Sequence, residues 1–120
     1  MDLFKPIVPL EQQHPNFRSV CHSDMGCDGE RETLQKWAEG FEDRDGKFVQ
    51  EFQKTFNSCF WEVYLHAAFK ELGFSADYSH ARPDFVLSGA SDIIAEATIA
   101  ANPEGVVPEW ERNYSIEAEV

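Results

Sequence analysis

Basic residues are scarce in this 120-residue chain. Ten Lys and Arg stand against 22 Asp and Glu, giving a net charge of −12 and a pI near 4.6. That balance counts against a nucleic-acid binder, whose affinity comes largely from neutralising phosphates. Only a local basic strip such as Arg44, Lys47 and Lys54 would offset it. No apolar run approaches the length of a membrane span. The start Met1-Asp2-Leu3-Phe4-Lys5 lacks the charged-then-apolar form of a signal peptide, so the chain is expected to be cytoplasmic with no membrane contact. Cysteines number three, an odd count with Cys59 inside a helical pattern, which fits reduced thiols rather than a disulfide framework. Internal repeats, phosphate-binding glycine loops and nucleophile elbows are absent from the sequence, which removes P-loop and α/β-hydrolase chemistry.

What is present is the material of one core. Hydrophobic residues make up 42% and aromatics 13%, which fits a globular domain of this length. Residues 1–28 contain Pro6, Pro9 and Pro15 and no sustained period. They read as an extended arm packed on the domain through Phe4, Ile7, Val8 and Phe17, with residues 29–120 forming a single α/β domain. His14, Cys21, His22 and Cys27 fall close together in the arm as a mixed set of zinc-type ligands. Their spacing matches neither a ribbon nor a finger, and an irregular loop with free cysteines is the competing reading. Glu30 to Phe41 is a helix candidate, with Leu34, Trp37, Ala38 and Phe41 on one stripe and Asp28 as its cap. The run Glu42-Asp43-Arg44-Asp45-Gly46 then breaks the chain; it lacks the spaced ligands and closing glutamate of a calcium loop.

From Lys47 to Leu72 there is neither proline nor glycine, and Val49, Phe52, Phe56, Phe60, Val63 and Ala67 recur at helical spacing. The pattern predicts one long helix, capped by Asp45 and ended by Gly73 in a left-handed conformation. Its second half is apolar almost all round, as in a helix covered on more than one side. Glu62 and His66 interrupt it, and at about 100° per residue they lie roughly 40° apart. A carboxylate there is expected to be desolvated, and to need a partner, a metal or a proton. An arginine, His66 or a position at the rim would each satisfy it.

Ser75 to His80, Arg82 to Ser88 and Asp92 to Ile99 read as strands, the last two joined by a Ser88-Gly89-Ala90-Ser91-Asp92 hairpin turn. If Ser88 and Asp92 close the loop, Asp84 lies opposite Glu96. One face then carries Phe85, Leu87, Ile93, Ala95, Ala97 and Ile99, and the other Arg82, Asp84, Val86, Ile94, Glu96 and Thr98. Two carboxylates so paired, with Cβ atoms about 5 Å apart, repel by about 3 kcal/mol at an effective dielectric near 20. A divalent cation removes the conflict, because Mg²⁺ commonly takes one or two carboxylates plus waters. A register shifted by one residue, or exposure with Arg82 screening both groups, removes it as well.

Glu62 on the helix, Pro83-Asp84 opening one strand and Glu96 on the next together resemble the PD-(D/E)xK, or restriction-endonuclease-like, nuclease superfamily, over about the middle half of the chain. The resemblance implies an α/β core in which a helix packs on a small mixed or antiparallel sheet through Phe85, Leu87, Ile93 and Ile99. It implies a hydrolase that cuts nucleic acid with Mg²⁺ or Mn²⁺, the metal held by Asp84 and Glu96 and supported by Glu62. Thr98 stands where that superfamily has a lysine that helps activate water, and a threonine carries no positive charge. Lys70, Lys54 or Arg82 would have to replace it; otherwise each is solvated surface. The superfamily core also continues through a second helix and strand, for which only residues after Ala100 remain. There, Asn102 to Gly105 reads as a stop, Pro108 to Asn113 as a short helix and Ser115 to Val120 as an edge strand. A second copy pairing with this tail would complete the sheet as a homodimer. The contrasting expectation is a catalytically silent, acidic protein-binding module, an inhibitor or DNA mimic, which Thr98 and the charge of −12 favour.

Overall fold

In the computed structural model, which describes residues 1–22, 28–80 and 82–100, a 3-10 turn (Leu10–Gln12) is followed by helices α1 (Pro15–His22), α2 (Asp28–Trp37), α3 (Phe48–Thr55) and α4 (Asn57–Glu71). Strands β1 (Ser75–Asp77), β2 (Phe85–Ser88) and β3 (Ile93–Ala95) complete the order. Among the described residues the fold is therefore mixed α/β, four helices packed on a small antiparallel sheet ordered β1-β2-β3.

The expected long helix is two helices. Phe56 adopts φ 39° and ψ −63°, an unfavourable region for an aromatic residue. In a continuous helix the Gln53 carbonyl would accept from the Asn57 amide. Here it accepts from the His14 amide at 2.8 Å, so the N-terminal segment enters the hydrogen-bond ladder and breaks it. Asn16 reinforces the junction by donating to the Asn57 side chain at 3.0 Å. The turn keeps Phe56 buried against Phe52 and Phe60, at ring-centre distances of 5.1 and 5.7 Å.

At the helix starts, Asp45 accepts from the Lys47 amide at 3.0 Å, while Asp43, rather than Asp45, takes the Phe48 amide at 3.1 Å. The end of α4 is as expected. Gly73 has φ +89°, its amide reaches the Lys70 carbonyl, and the Phe74 amide reaches Phe69, both at 3.0 Å. These two bonds form a Schellman cap, and the Phe69 and Phe74 rings make its customary apolar contact. Helix α2 ends at Trp37, before the predicted Phe41, and turns through Gly40 at φ +84°.

The arm is not extended throughout, since Pro15–His22 is helical. It shares one core with the helices: Leu3 and Phe17 are fully buried with Leu34, Phe48, Phe52 and Val63. Gln53, fully buried, holds the arm by its backbone. Its Oε1 accepts from Ile7 and Val8 at 3.0 and 3.2 Å, and its Nε2 donates to the Leu3 and Lys5 carbonyls at 3.2 and 2.8 Å. Ile7 itself is exposed.

A second cluster, Tyr78, Phe85 and Leu87, lies under Phe69 of α4. Phe41 packs against both clusters. Ile93 and Ile99, expected in this face, are 40% and 43% exposed. The helix covers the sheet over β1 and β2, and β3 is an edge strand that extends past its cover.

Candidate functional site

The β2–β3 ladder pairs Phe85 with Ala95, Val86 with Ile94 and Leu87 with Ile93, the register that the hairpin turn predicts. Asp84 and Glu96 stand one step beyond it. Asp84, half-buried after the Arg82–Pro83 peptide, accepts from the Ala97 amide through Oδ2 at 2.9 Å, which anchors its carboxylate across the hairpin.

Glu62 projects from α4 in a half-buried position. Its carboxyl is pushed up to about 7, by burial first and by the Asp84 charge next, while Arg44 opposes the rise and Glu51 adds to it. Glu62 therefore has neither an arginine in contact nor His66 as partner. The ion pairs among the described residues are Asp28–Arg31 and Asp77–His80. His66 is occupied elsewhere: Nδ1 meets the Tyr78 hydroxyl at 2.5 Å and Nε2 the Glu39 carbonyl at 2.8 Å. A carbonyl only accepts, so Nε2 carries the proton and Nδ1 accepts from the tyrosine. Burial lowers the His66 pKa, with Lys70 acting in the same direction, and raises that of Tyr78.

Glu62 opens into a cavity of about 250 Å³ whose lining also holds Phe41, Phe48, Arg44 and four further carboxylates, Glu42, Asp43, Asp45 and Glu51. Arg44 enters it from the α2–α3 connection. Its Nη1 donates to the His80 carbonyl, and its guanidinium lies 5.8 Å from the centre of the Tyr78 ring. A larger hollow of about 810 Å³ lies elsewhere, bounded by Val20, Leu34, Trp37, Phe56 and Phe60. Glu30 is the one ionisable side chain in its described lining, so it offers no paired groups for chemistry.

Of the four residues singled out from the sequence, Glu62 and Asp84 are brought into electrostatic reach of each other, whereas Glu96 and Thr98 are exposed. Among the described residues no three His, Cys, Asp or Glu side chains are grouped closely enough to hold a metal ion. Arg44, named from the sequence only as one member of a basic strip with Lys47 and Lys54, acts on Glu62 here, a juxtaposition set by the segment after β1 that holds it through Tyr78 and His80. Lys70 borders a separate cavity with His66, and Lys54 and Arg82 are exposed.

In the zinc-type set, Cys21 donates to the Phe4 carbonyl at 3.3 Å and His22 bonds the Gln13 side chain at 2.9 Å. His14 Nδ1 accepts from the Asn16 amide, and Cys27 lies outside the described residues. Cys21 and Cys59 are free thiols, and burial pushes Cys59 up to about 11, away from reactivity. The elements expected beyond Ala100 also lie outside the described residues. Compared with known proteins, the chain matches no family model, no curated protein and no solved structure.

Proposed function

We propose that this chain is a divalent-metal-dependent phosphodiesterase of nuclease type, built on a restriction-endonuclease-like helix–strand–strand–strand core. The observation that carries the proposal is the approach of Glu62 on α4 to Asp84 at the head of β2, two half-buried like charges that raise the cost of ionising Glu62. The order α4-β1-β2-β3 and the β2–β3 register, which sets Glu96 next to Asp84 in sequence of pairing, support the same reading.

The donor set fits a hard cation. Both groups offer carboxylate oxygens, and Mg²⁺ is commonly held by one or two carboxylates with waters filling the remainder. Asp84 and Glu62 would hold the ion, with Glu96 as an outer contributor. When bound, it supplies a lowered pKa for the attacking water and an offset for phosphate charge. Asp84 keeps its orientation through the Ala97 amide. Glu62, desolvated on the helix, would hold the cation in its ionised form, its proton passing to solvent. The test is cleavage of single-stranded and plasmid DNA with Mg²⁺ or Mn²⁺ at protein in excess, with Asp84→Asn as the inactive control.

The exposure of Glu96 and Thr98 favours a second reading, an acidic module that engages a protein as an inhibitor or DNA mimic without hydrolysis. Absence of cleavage by the wild type under both metals selects it.

A further inference from the structure

The hollow of about 810 Å³ owes its shape to the break at Phe56. The His14 amide on the Gln53 carbonyl seats α1 beside the α3–α4 junction, where Asn16 bonds Asn57, and α2 forms the remaining wall. Its size is that of a small-molecule site, for which roughly 300–1,000 Å³ is usual. Val20 and Leu34 supply the aliphatic part of the described lining, and three rings supply the aromatic part. The Phe56 and Phe60 centres lie 5.7 Å apart, and Trp37 lies 6.2 Å from Phe60. Trp37 and Phe60 are half-buried, so each keeps ring surface accessible, while Ser19, Thr33 and Glu30 form an exposed polar rim.

Charge selects the occupant. The face of an aromatic ring carries the negative part of its quadrupole and attracts a cation within about 6 Å of its centre. Glu30 adds a full negative charge, no basic side chain stands in the described lining, and the chain as a whole carries −12. An anion is repelled by all of these. A neutral apolar molecule gains contact area but covers the Glu30 carboxylate without compensating it. A cation with an apolar body satisfies the rings and the rim together.

We infer that the hollow bounded by α1, α2 and the α3–α4 junction is a binding site for a small organic cation, an ammonium group on an aromatic or alkyl body. The Trp37 and Phe60 rings hold it, and Glu30 is its counter-charge. The site is independent of the phosphodiesterase reading, since it uses neither Glu62 nor Asp84.

The test is titration of the ¹⁵N-labelled full chain with benzyltrimethylammonium, benzyl alcohol and benzylsulfonate, which share one phenylmethyl body and differ in charge, followed by NMR. The cation should bind at least about tenfold more tightly than either of the others, shifting the Val20, Thr33 and Phe60 amides and the Trp37 indole. Glu30→Gln, at an exposed position, should weaken the cation about twofold to fivefold and leave benzyl alcohol unchanged. Trp37→Leu should weaken it about tenfold; should that variant fail to fold, Glu30→Gln decides. Glu42→Gln, which removes the same charge from the lining of the Glu62 cavity, should change nothing. Equal affinity for the three probes would overturn the inference, since the hollow would then be a plain apolar surface. Shifts centred on Glu42, Asp43 and Glu62, or equal weakening by Glu30→Gln and Glu42→Gln, would overturn it too, because the cation would then follow net charge. Absence of any shift at about 10 mM cation, far above a weak Kd, overturns it outright.

Discussion

Glu62 and His66 are one helical turn apart on α4, yet burial acts on them with opposite consequences for pH. The folded Glu62 holds its proton up to about pH 7, well above an ordinary carboxylic acid, so the unfolded chain releases that proton first. Its contribution is present at acidic pH and declines as pH rises toward 7. His66 has a lowered pKa, so its contribution is present where the imidazole is neutral and declines as pH falls below the usual histidine range. Glu62→Gln should therefore stabilise the protein at pH 8 and not at pH 4.5. After allowance for screening of a half-buried group, the gain is about 1–2 kcal/mol. His66→Gln should lose stability near neutrality and flatten the acid limb. Melting curves from pH 4.5 to 8 check both, and a Glu62→Gln gain that is the same at every pH would show that the carboxylate titrates normally. Gly40 belongs to the same neighbourhood: at φ +84° a side chain there would be strained, and its Cβ would sit 3.6 Å from the His66 ring.

At the scale of elements, the junction of α3 and α4 is where local preference yields to packing. Phe56 at positive φ costs on the order of 1–3 kcal/mol, and the fold recovers it by seating the arm on Gln53. Gln53→Leu keeps the helix propensity and volume but leaves the amides of Ile7 and Val8 and the carbonyls of Leu3 and Lys5 without these partners. The expected loss is about 2–4 kcal/mol, from desolvated backbone groups rather than from lost apolar area. A lower urea midpoint, with faster amide exchange at Ile7 and Val8, would report it. An unchanged midpoint would mean that the arm is held by Leu3 and Phe17 alone.

At the scale of the whole molecule, a cation that binds only the folded chain should stabilise it by RT ln(1 + [L]/Kd), about 2.7 kcal/mol at a hundredfold excess. For a domain of this size that is a rise in Tm of roughly 10 °C. Asp84→Asn can still accept from the Ala97 amide through its carboxamide oxygen, so it removes the charge while keeping the contact that orders the hairpin. Its Tm in chelator should exceed that of the wild type, and the rise with millimolar Mn²⁺ should largely vanish. A wild type indifferent to Mn²⁺, together with a destabilised Asp84→Asn, would leave Asp84 as a structural bridge to Ala97.

Much of this was legible along the chain because it depends on neighbours in sequence. The absence of glycine from residues 47–72 followed by Gly73 specified where α4 ends, since only a left-handed residue closes a Schellman cap at low cost. The small residues from Ser88 to Asp92, flanked by alternating strand formers, specified the β2–β3 register, because a slip by one residue would expose Phe85 and Leu87. Glu62 and Asp84 stood out as residues, and their proximity was expected only through the resemblance, because it requires α4 to lie across the sheet. The break at Phe56 was invisible because its cause, the His14 amide on the Gln53 carbonyl, comes from 39 positions away. Gln53 carries no local signal either, and Arg44 stood out only as one member of a basic strip. What tertiary structure decided in each case is which polar group a buried atom meets. Periodicity records how often a residue is covered, whereas a hydrogen bond or a charge contact depends on the particular atom that covers it.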